Sequence, residues 1–389
     1  MIDCRFFPKY KEKLTIKNFL IFTAKNENAM QIGIVGLPQS GKSTLFQTIT
    51  KTHLDPASMS KVETHQAVIK VPDARLDKLT EIFNPKKKTS ATIEVLDVVG
   101  LQKGDSGTTQ FTSNFLGKVK TNDALIQVVR LFNNDLVPHP DGSVNMMRDI
   151  DSFETEFIFS DLAIIEKRID TVKKQVQKTQ DDKLKRELPL LEKCYQLLQE
   201  EKPLRDAHLT NDELKILSSF QMLSVKPMLI ALNLDESQID KAGMFLDELA
   251  KKKLSKNTKA LFFFGKIEQE MSELSDKEAE IFMKEYGIKE SALNSIIREA
   301  YDLLGLQSFF TCGDTECRAW TIRKGSTAQE AAGEIHTDFY NKFIRAEVVG
   351  YDDFISAGSF AKAKEQGTWR LEGKEYIVKD GDIMIIRHG

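Results

Sequence analysis

The eight residues GLPQSGKS, Gly36 to Ser43, constrain this chain more than any other stretch. They satisfy G-x-x-x-x-G-K-[ST], and they lie between an apolar run, Gln31 to Val35, and a helical pattern from Lys42 to Thr50, the context a phosphate-binding loop requires. Glycines let backbone N–H groups turn toward phosphate oxygens, and the helix N-terminus adds partial positive charge. Lys42 is placed to reach β- and γ-phosphates, as a catalytic cation, and Ser43 to ligate Mg²⁺. Gly36, Pro38, Gln39, Ser40, Gly41 and Thr44 complete the expected nucleotide cradle.

A second element follows at the right distance. ATIEVLDVVG, Ala91 to Gly100, reads as a strand that delivers Asp97 to its end, with Asp97 aimed at the Mg²⁺ shell and Gly100 free to swing toward a γ-phosphate. A third is PMLIALNLDE, residues 227–236, an unbroken apolar run ending in a polar cluster, as in a buried parallel strand whose C-terminal end meets a ligand. The cluster nearly spells N-K-x-D, but Leu234 stands where a Lys reads guanine and Glu236 where the Asp does. A guanine offers two N–H donors to that Asp; adenine offers an N6 amine and N7, which an Asn pairs with. Asn233, Leu234 and Glu236 therefore favour adenine.

The chain is long enough for two or three domains. With 41% hydrophobic and 29% charged residues it is an ordinary globular composition, and a net charge of -3 gives no global argument for nucleic acid. No apolar run reaches the length of a membrane span. Cys4, Cys194, Cys312 and Cys317 lack paired C-x-x-C spacing, which counts against a disulfide framework and a zinc site and for a reducing cytoplasm. Residues 1–29 read as an extension, with the functional chain starting near Met30.

Periodicity organises the rest. Strands are expected at Gln66 to Val71, Ala124 to Phe132 and Ala260 to Lys266, with a helix from Val71 to Phe83. From Asp151 to Asp206 apolar residues recur at helical spacing among Lys, Glu and Gln, which predicts two antiparallel helices joined around Thr179 to Lys183. Beyond Leu306 the chain reads as a separate small unit: strands, a capping box at Thr327 to Glu330, and a hairpin over EYIVKDGDIMIIR turning at Asp380-Gly381. The expected fold is α/β. A P-loop domain (30–150 and 207–305) is interrupted by a helical hairpin (151–206) and followed by a β-grasp unit (306–389).

Together GLPQSGKSTLF, VPDARLDKL, ATIEVLDVVGL, VVRLF, RDI, NLDE, IHTDF and KEYIVKDGDIM resemble the YchF subfamily of the Obg-like P-loop NTPases, from Met30 to the end. The resemblance implies a G domain with an inserted hairpin, a C-terminal TGS domain of β-grasp fold, and hydrolysis of ATP in preference to GTP. It also implies that His139, in the loop NNDLVPHPDG, acts in hydrolysis, and that Leu101 replaces a water-orienting Gln. Some positions depart from the family pattern. Gln39-Ser40 replaces an Asn-Val whose Asn helps hold potassium in related NTPases, which counts against potassium activation. Lys61 stands where a Mg²⁺-capping Thr is usual, with Ser60 and Thr64 nearby, and the segment KGDSGTTQFTSN keeps only Gly104 and Gly107 of a glycine-rich switch.

The expectation is a cytoplasmic, monomeric, Mg²⁺-dependent ATPase switch, without membrane attachment. It binds the ribosome and ribosomal RNA through basic residues of the hairpin, such as Lys167, Arg168 and Lys174, and through Arg318, Trp320, Tyr340 and Phe343 of the C-terminal unit. A nucleotide-gated binder with negligible turnover and a ribosome-associated GTPase are the alternatives.

Overall fold

The computed structural model describes residues 30–51, 64–98, 101–103, 109–179, 181–252, 254, 257–285 and 290–389. The expectations for residues 1–29, Ser60, Lys61, Gly100, Gly104 and Gly107 lie outside them. The strands are β1 (Gln31–Val35), β2 (His65–Lys70), β3 (Lys87–Thr89), β4 (Thr92–Asp97), β5 (Gln102–Lys103), β6 (Thr109–Gln110), β7 (Ala124–Arg130), β8 (Met228–Asn233), β9 (Thr258–Phe263), β10 (Leu306–Cys312), β11 (Glu316–Arg323), β12 (Phe343–Gly350), β13 (Arg370–Glu372) and β14 (Asp382–His388). The helices that matter here are α1 (Lys42–Thr50), α2 (Ala74–Phe83), α3 (Met146–Val176), α4 (Asp182–Gln199), α5 (Ala292–Leu303) and α6 (Ala328–Ile335).

Six strands form the first sheet in the order β2-β4-β1-β7-β8-β9, parallel except for the antiparallel edge strand β2. Every residue of β7 and β8 is buried, as their unbroken apolar runs require of strands covered on both faces. The edge strand β2 instead exposes alternate residues. Helix α2 starts at Ala74 rather than Val71 because the Asp73 carboxylate accepts the Arg75 N–H as an N-cap, and it stops at Asn84, whose φ of 44° is left-handed.

Helix α3 has 31 residues and α4 has 18. Their facing sides bury Ile165, Val172, Leu191 and Cys194 in a core of their own. Arg168 adds a two-pronged bond to Glu187 at 2.5 and 2.9 Å. The start of α3 belongs elsewhere: Met146, Ile150, Phe153 and Phe157 pack with Val35, Val129 and Leu232 under the first sheet. One helix is thus shared by two cores.

The second sheet runs β13-β12-β14-β10-β11-β3, with α6 laid on it through Ala328 and Ala331. The Thr327–Glu330 capping box is present. Two expectations change. The C-terminal unit is not separate, because β3, from the first half of the chain, pairs parallel with β11, and one apolar cluster runs from Ile32 and Leu76 through Ile296 to Phe310 and Ile383. The hairpin turning at Asp380-Gly381 is absent as well: only β14 is a strand, pairing with β12 and β10. Asp380 instead accepts the Ser308 N–H at 3.0 Å and binds Arg75 at 2.8 Å, while Gly381 donates to Ser308 O. Those bonds pull the segment before β14 across the sheet, so no partner strand forms beside it.

Among the described residues no helix is long and apolar enough to cross a membrane. Cys312 and Cys317 sit opposite each other on β10 and β11 as free thiols. The basic and aromatic residues assigned to RNA are less available than their types imply. Arg168 is tied to Glu187, Lys173 to Glu192 and Lys324 to Asp302, while Trp320 and Phe343 pack on the small core beside α6. Lys167, Lys174, Lys178, Lys183 and Arg186 are exposed on the hairpin.

Candidate nucleotide site

The buried run of β1 ends at Val35, and the loop leaves it through Gly36 at φ 155°, where an added Cβ would collide with the Val128 carbonyl. Gln39 takes a left-handed φ of 63° without being glycine, a strain that functional loops keep. Gly41, at φ 98°, is the N-cap of α1 and offers no side chain, and the first turn holds no acidic residue. The first N–H groups of α1 therefore point outward with the positive end of the helix dipole, as an anion requires. Pro38 is half-buried, Gln39 exposed, Ser40 buried and Thr44 half-buried.

Lys42 lies inside the loop, donating to Leu37 O at 2.8 Å. Burial pushes its ammonium down to about 8, with Asp97 opposing the shift. Strand register sets Asp97 opposite Ile34, at the end of β1, and Ser43 Oγ donates to Asp97 Oδ2 at 3.2 Å. Burial raises the Asp97 pKa, against Lys42, Ser43 and His65. Its other oxygen, Oδ1, is buried without a hydrogen-bond partner. A hydroxyl and a carboxylate with one oxygen unpartnered among the described residues, beside an anion-binding helix end, form a donor set that fits a hard divalent cation such as Mg²⁺. Thr64 is the described member of the Lys61, Ser60 and Thr64 group, and its Oγ1 is likewise buried without a partner.

The polar cluster after β8 divides its roles. Asn233 is 4% exposed, with Nδ2 donating to Ser40 O at 3.1 Å and Oδ1 accepting the Gly265 N–H at 3.1 Å. It clamps the phosphate loop to the segment after β9 and keeps one N–H for a ligand. Leu234 is 3% exposed and packs in the core with Leu37 and Phe264, so its side chain is no counterpart of the Lys that reads guanine. Glu236 is half-exposed and faces Lys266 at 3.4 Å.

His139 lies in the loop that the sequence reading gave it, but it does not project into solvent. Its side chain is buried. Nδ1 accepts the Asp141 N–H at 3.1 Å, so Nε2 carries the proton and donates to Asp149 Oδ2 at 3.0 Å. Asp149 Oδ1 accepts Arg148 at 2.8 and 2.9 Å. His139 and Asp149 line a recess with Leu37 and Ser40 of the phosphate loop and with Arg130 and Phe153.

Arg130 was missed by sequence reasoning, although a charge closing an apolar strand is itself a signal. It is 2% exposed and among the described residues has no carboxylate partner; its Nε and Nη2 bind Phe132 O at 3.1 Å and Val137 O at 2.7 Å, within the loop that carries His139. Asp149, Lys266 and His65 were missed too. The first is ten residues beyond His139 but on another element, and no spacing rule connects them.

Residues 31–234 match the family described as 50S ribosome-binding GTPase, and residues 306–389 match the YchF-GTPase C-terminal family, described as a protein of unknown function. The Ribosome-binding ATPase YchF of Bacillus subtilis is 40% identical over 365 residues, which cover 92% of this chain and 99% of that protein. Its namesake in Escherichia coli O157:H7 is 40% identical over 354 residues, 90% of this chain and 97% of that one. The solved structure of the Schizosaccharomyces pombe YchF GTPase superposes with a TM-score of 0.81 at 32% identity, covering 92% of this chain and 98% of its own. With a phosphate loop, an Asn233 clamp and similarity running nearly end to end, the chain belongs to the YchF subfamily of the Obg-like P-loop NTPases.

Proposed function

We propose that this protein is a Mg²⁺-dependent molecular switch that binds ATP in preference to GTP, hydrolyses it, and engages the ribosome according to nucleotide state. The observation that carries ATP preference is the cluster after β8. Asn233 keeps one free N–H at the site, while Leu234 is withdrawn into the core and Glu236 turns to Lys266, so the Lys and Asp that read guanine have no counterpart. The relatives named Ribosome-binding ATPase support both the base and the partner.

In this reading the N–H groups at the start of α1 and the Lys42 ammonium hold the triphosphate. Ser43 and Asp97 hold Mg²⁺, which when bound neutralises phosphate charge. Bound phosphate favours the charged form of Lys42, whose pKa burial lowers, and Asn233 keeps the loop in register with the base. His139 places or activates the attacking water once its loop releases it, and Leu101 leaves intrinsic turnover slow, about 10⁻⁴ to 10⁻² per second as in related switches. The domain division proposed is 30–150 with 207–305, 151–206, and 306–389. Ribosome contact uses the exposed lysines of the hairpin, in a cytoplasmic monomer.

Equilibrium titration with non-hydrolysable ATP and GTP analogues, followed by single-turnover hydrolysis, tests it. A bidentate base contact discriminates by about 1–3 kcal/mol, so an ATP preference of roughly tenfold is expected. Equal affinities refute the base assignment. The rival GTPase reading is favoured by the fission-yeast relative, which is named a GTPase, and a GTP preference in the same titration establishes it.

A further inference from the structure

We infer that Asp149 is a positioning residue that holds His139 retracted behind the phosphate loop, and that helix α3 transmits to it the state of the helical hairpin. The inference rests on the proposed role of His139 in hydrolysis.

Both ring nitrogens of His139 are engaged, Nδ1 by the Asp141 N–H and Nε2 by Asp149, so the ring reaches no ligand while these bonds stand. The bond to Asp149 is made by a separate element, α3, which also brings Arg148 Nη2 to 3.5 Å from Nδ1. The recess around it is otherwise poorly satisfied. Ser40 Oγ, Gln127 Oε1 and Arg130 Nη1 line it or project into it, are buried, and have no hydrogen-bond partner. Unpaired buried polar atoms are costly, so a second arrangement of the loop that pairs them lies close in free energy. Arg130 binds the loop at Phe132 O and Val137 O, which ties both of its ends to one side chain.

Asp149 stands in the first turn of α3. That helix spans roughly 45 Å at about 1.5 Å per residue. Its near end is packed under the first sheet by Ile150, Phe153 and Phe157, and its far end in the hairpin core by Ile165, Ile169 and Val172. Near its middle it is pinned, because the Asp161 carboxylate accepts the Leu223 and Ser224 N–H groups at 2.8 and 2.7 Å, and Glu154 binds Arg205. In this proposal a load at the hairpin tip reaches Asp149 along one continuous helix, working against the packing of Ile150 and Phe153 and the bond from Gln127 Nε2 to Asp149 O. The hydrogen bond to His139 then breaks, and the loop takes its second arrangement beside Ser40.

The test is single-turnover ATP hydrolysis by the full chain, with ATP-analogue titration alongside, for Asp149→Ala, Asp149→Asn, His139→Ala and the double variant His139→Ala/Asp149→Ala. Asp149→Ala is expected to raise intrinsic turnover on the order of tenfold, the change that corresponds to about 1.4 kcal/mol for one charge-assisted hydrogen bond. Analogue affinity stays unchanged. Asp149→Asn, which keeps the size and an acceptor oxygen, gives a smaller rise and remains informative if the Ala variant fails to fold. The double variant falls to the level of His139→Ala. A folded Asp149 variant with turnover at or below wild type overturns the latch, as does a rise that persists without His139. Wild-type turnover in His139→Ala alone overturns the proposed role of His139, and the latch with it; a loss in His139→Ala without a rise in either Asp149 variant overturns the latch alone.

Discussion

Asn233→Ala separates two roles that the strand end combines. In the structure the Asn233 carboxamide joins Ser40 O to the Gly265 N–H, and both of those residues are buried. Truncation leaves one buried acceptor and one buried donor unpaired, at about 1–3 kcal/mol each, so a loss of roughly 3 kcal/mol is expected before any ligand binds. At about 2–4 °C per kcal/mol for a domain of this size, the melting temperature of the nucleotide-free protein falls by about 6–12 °C. The assay is a pair of thermal melts without nucleotide, followed by titration with ATP and GTP analogues. Because the clamp sets the loop that holds phosphate, affinity for both nucleotides falls together, and the part that is lost for ATP alone measures the base contact. An unchanged melt with a loss confined to ATP refutes the clamp and leaves Asn233 a base reader only.

Asp97→Asn is expected to stabilise the nucleotide-free protein at neutral pH. Burial raises the folded pKa above the ordinary aspartate value of 3.8, so the ionised carboxylate costs stability once pH rises through that folded value, and the amide removes the cost. The same variant loses Mg²⁺-dependent tightening of nucleotide, and melts across pH 4–8 with and without Mg²⁺ check both effects. Leu234→Lys, which restores the guanine-type motif on paper, places a charge in a core position and lowers stability by about 3–5 kcal/mol without conferring GTP preference; a stable, GTP-selective variant contradicts the burial argument. Sedimentation with ribosomes is expected to weaken from low to high salt as phosphate contacts release counterions, and to weaken further in a variant with Lys167, Lys174 and Lys178 changed to Gln; association insensitive to both removes the hairpin from the interface.

Much of this protein is decided by rules that act over a few residues. The phosphate loop, the capping box at Thr327, the Asn84 stop of α2 and the fully apolar β7 and β8 are each dictated by backbone conformation or by hydrophobic period, and each stands where the sequence places it. Ser43 and Asp97 were also legible as a pair, because a strand end following a phosphate loop has one place to go in a parallel sheet.

What the tertiary structure alone decides are the partners that lie far apart in the chain. Asn233 reads as a base contact, and only the structure shows that its carboxamide also bridges to Ser40, 193 residues away. Leu234 reads as a ligand position, and only the structure shows that its side chain lies in the core with Leu37 and Phe264. His139 reads only as a loop residue with a role in hydrolysis, yet the first turn of α3 covers it, and β3, absent from the sequence reading, is a strand because β11 supplies its hydrogen bonds. The residues 375–381 carry a sound hairpin pattern, which Asp380 forgoes for Ser308 and Arg75. A local pattern states which conformations a segment prefers, but a buried polar group goes to whichever partner the packing of distant elements brings within hydrogen-bond reach, and that partner determines whether it clamps, latches or binds.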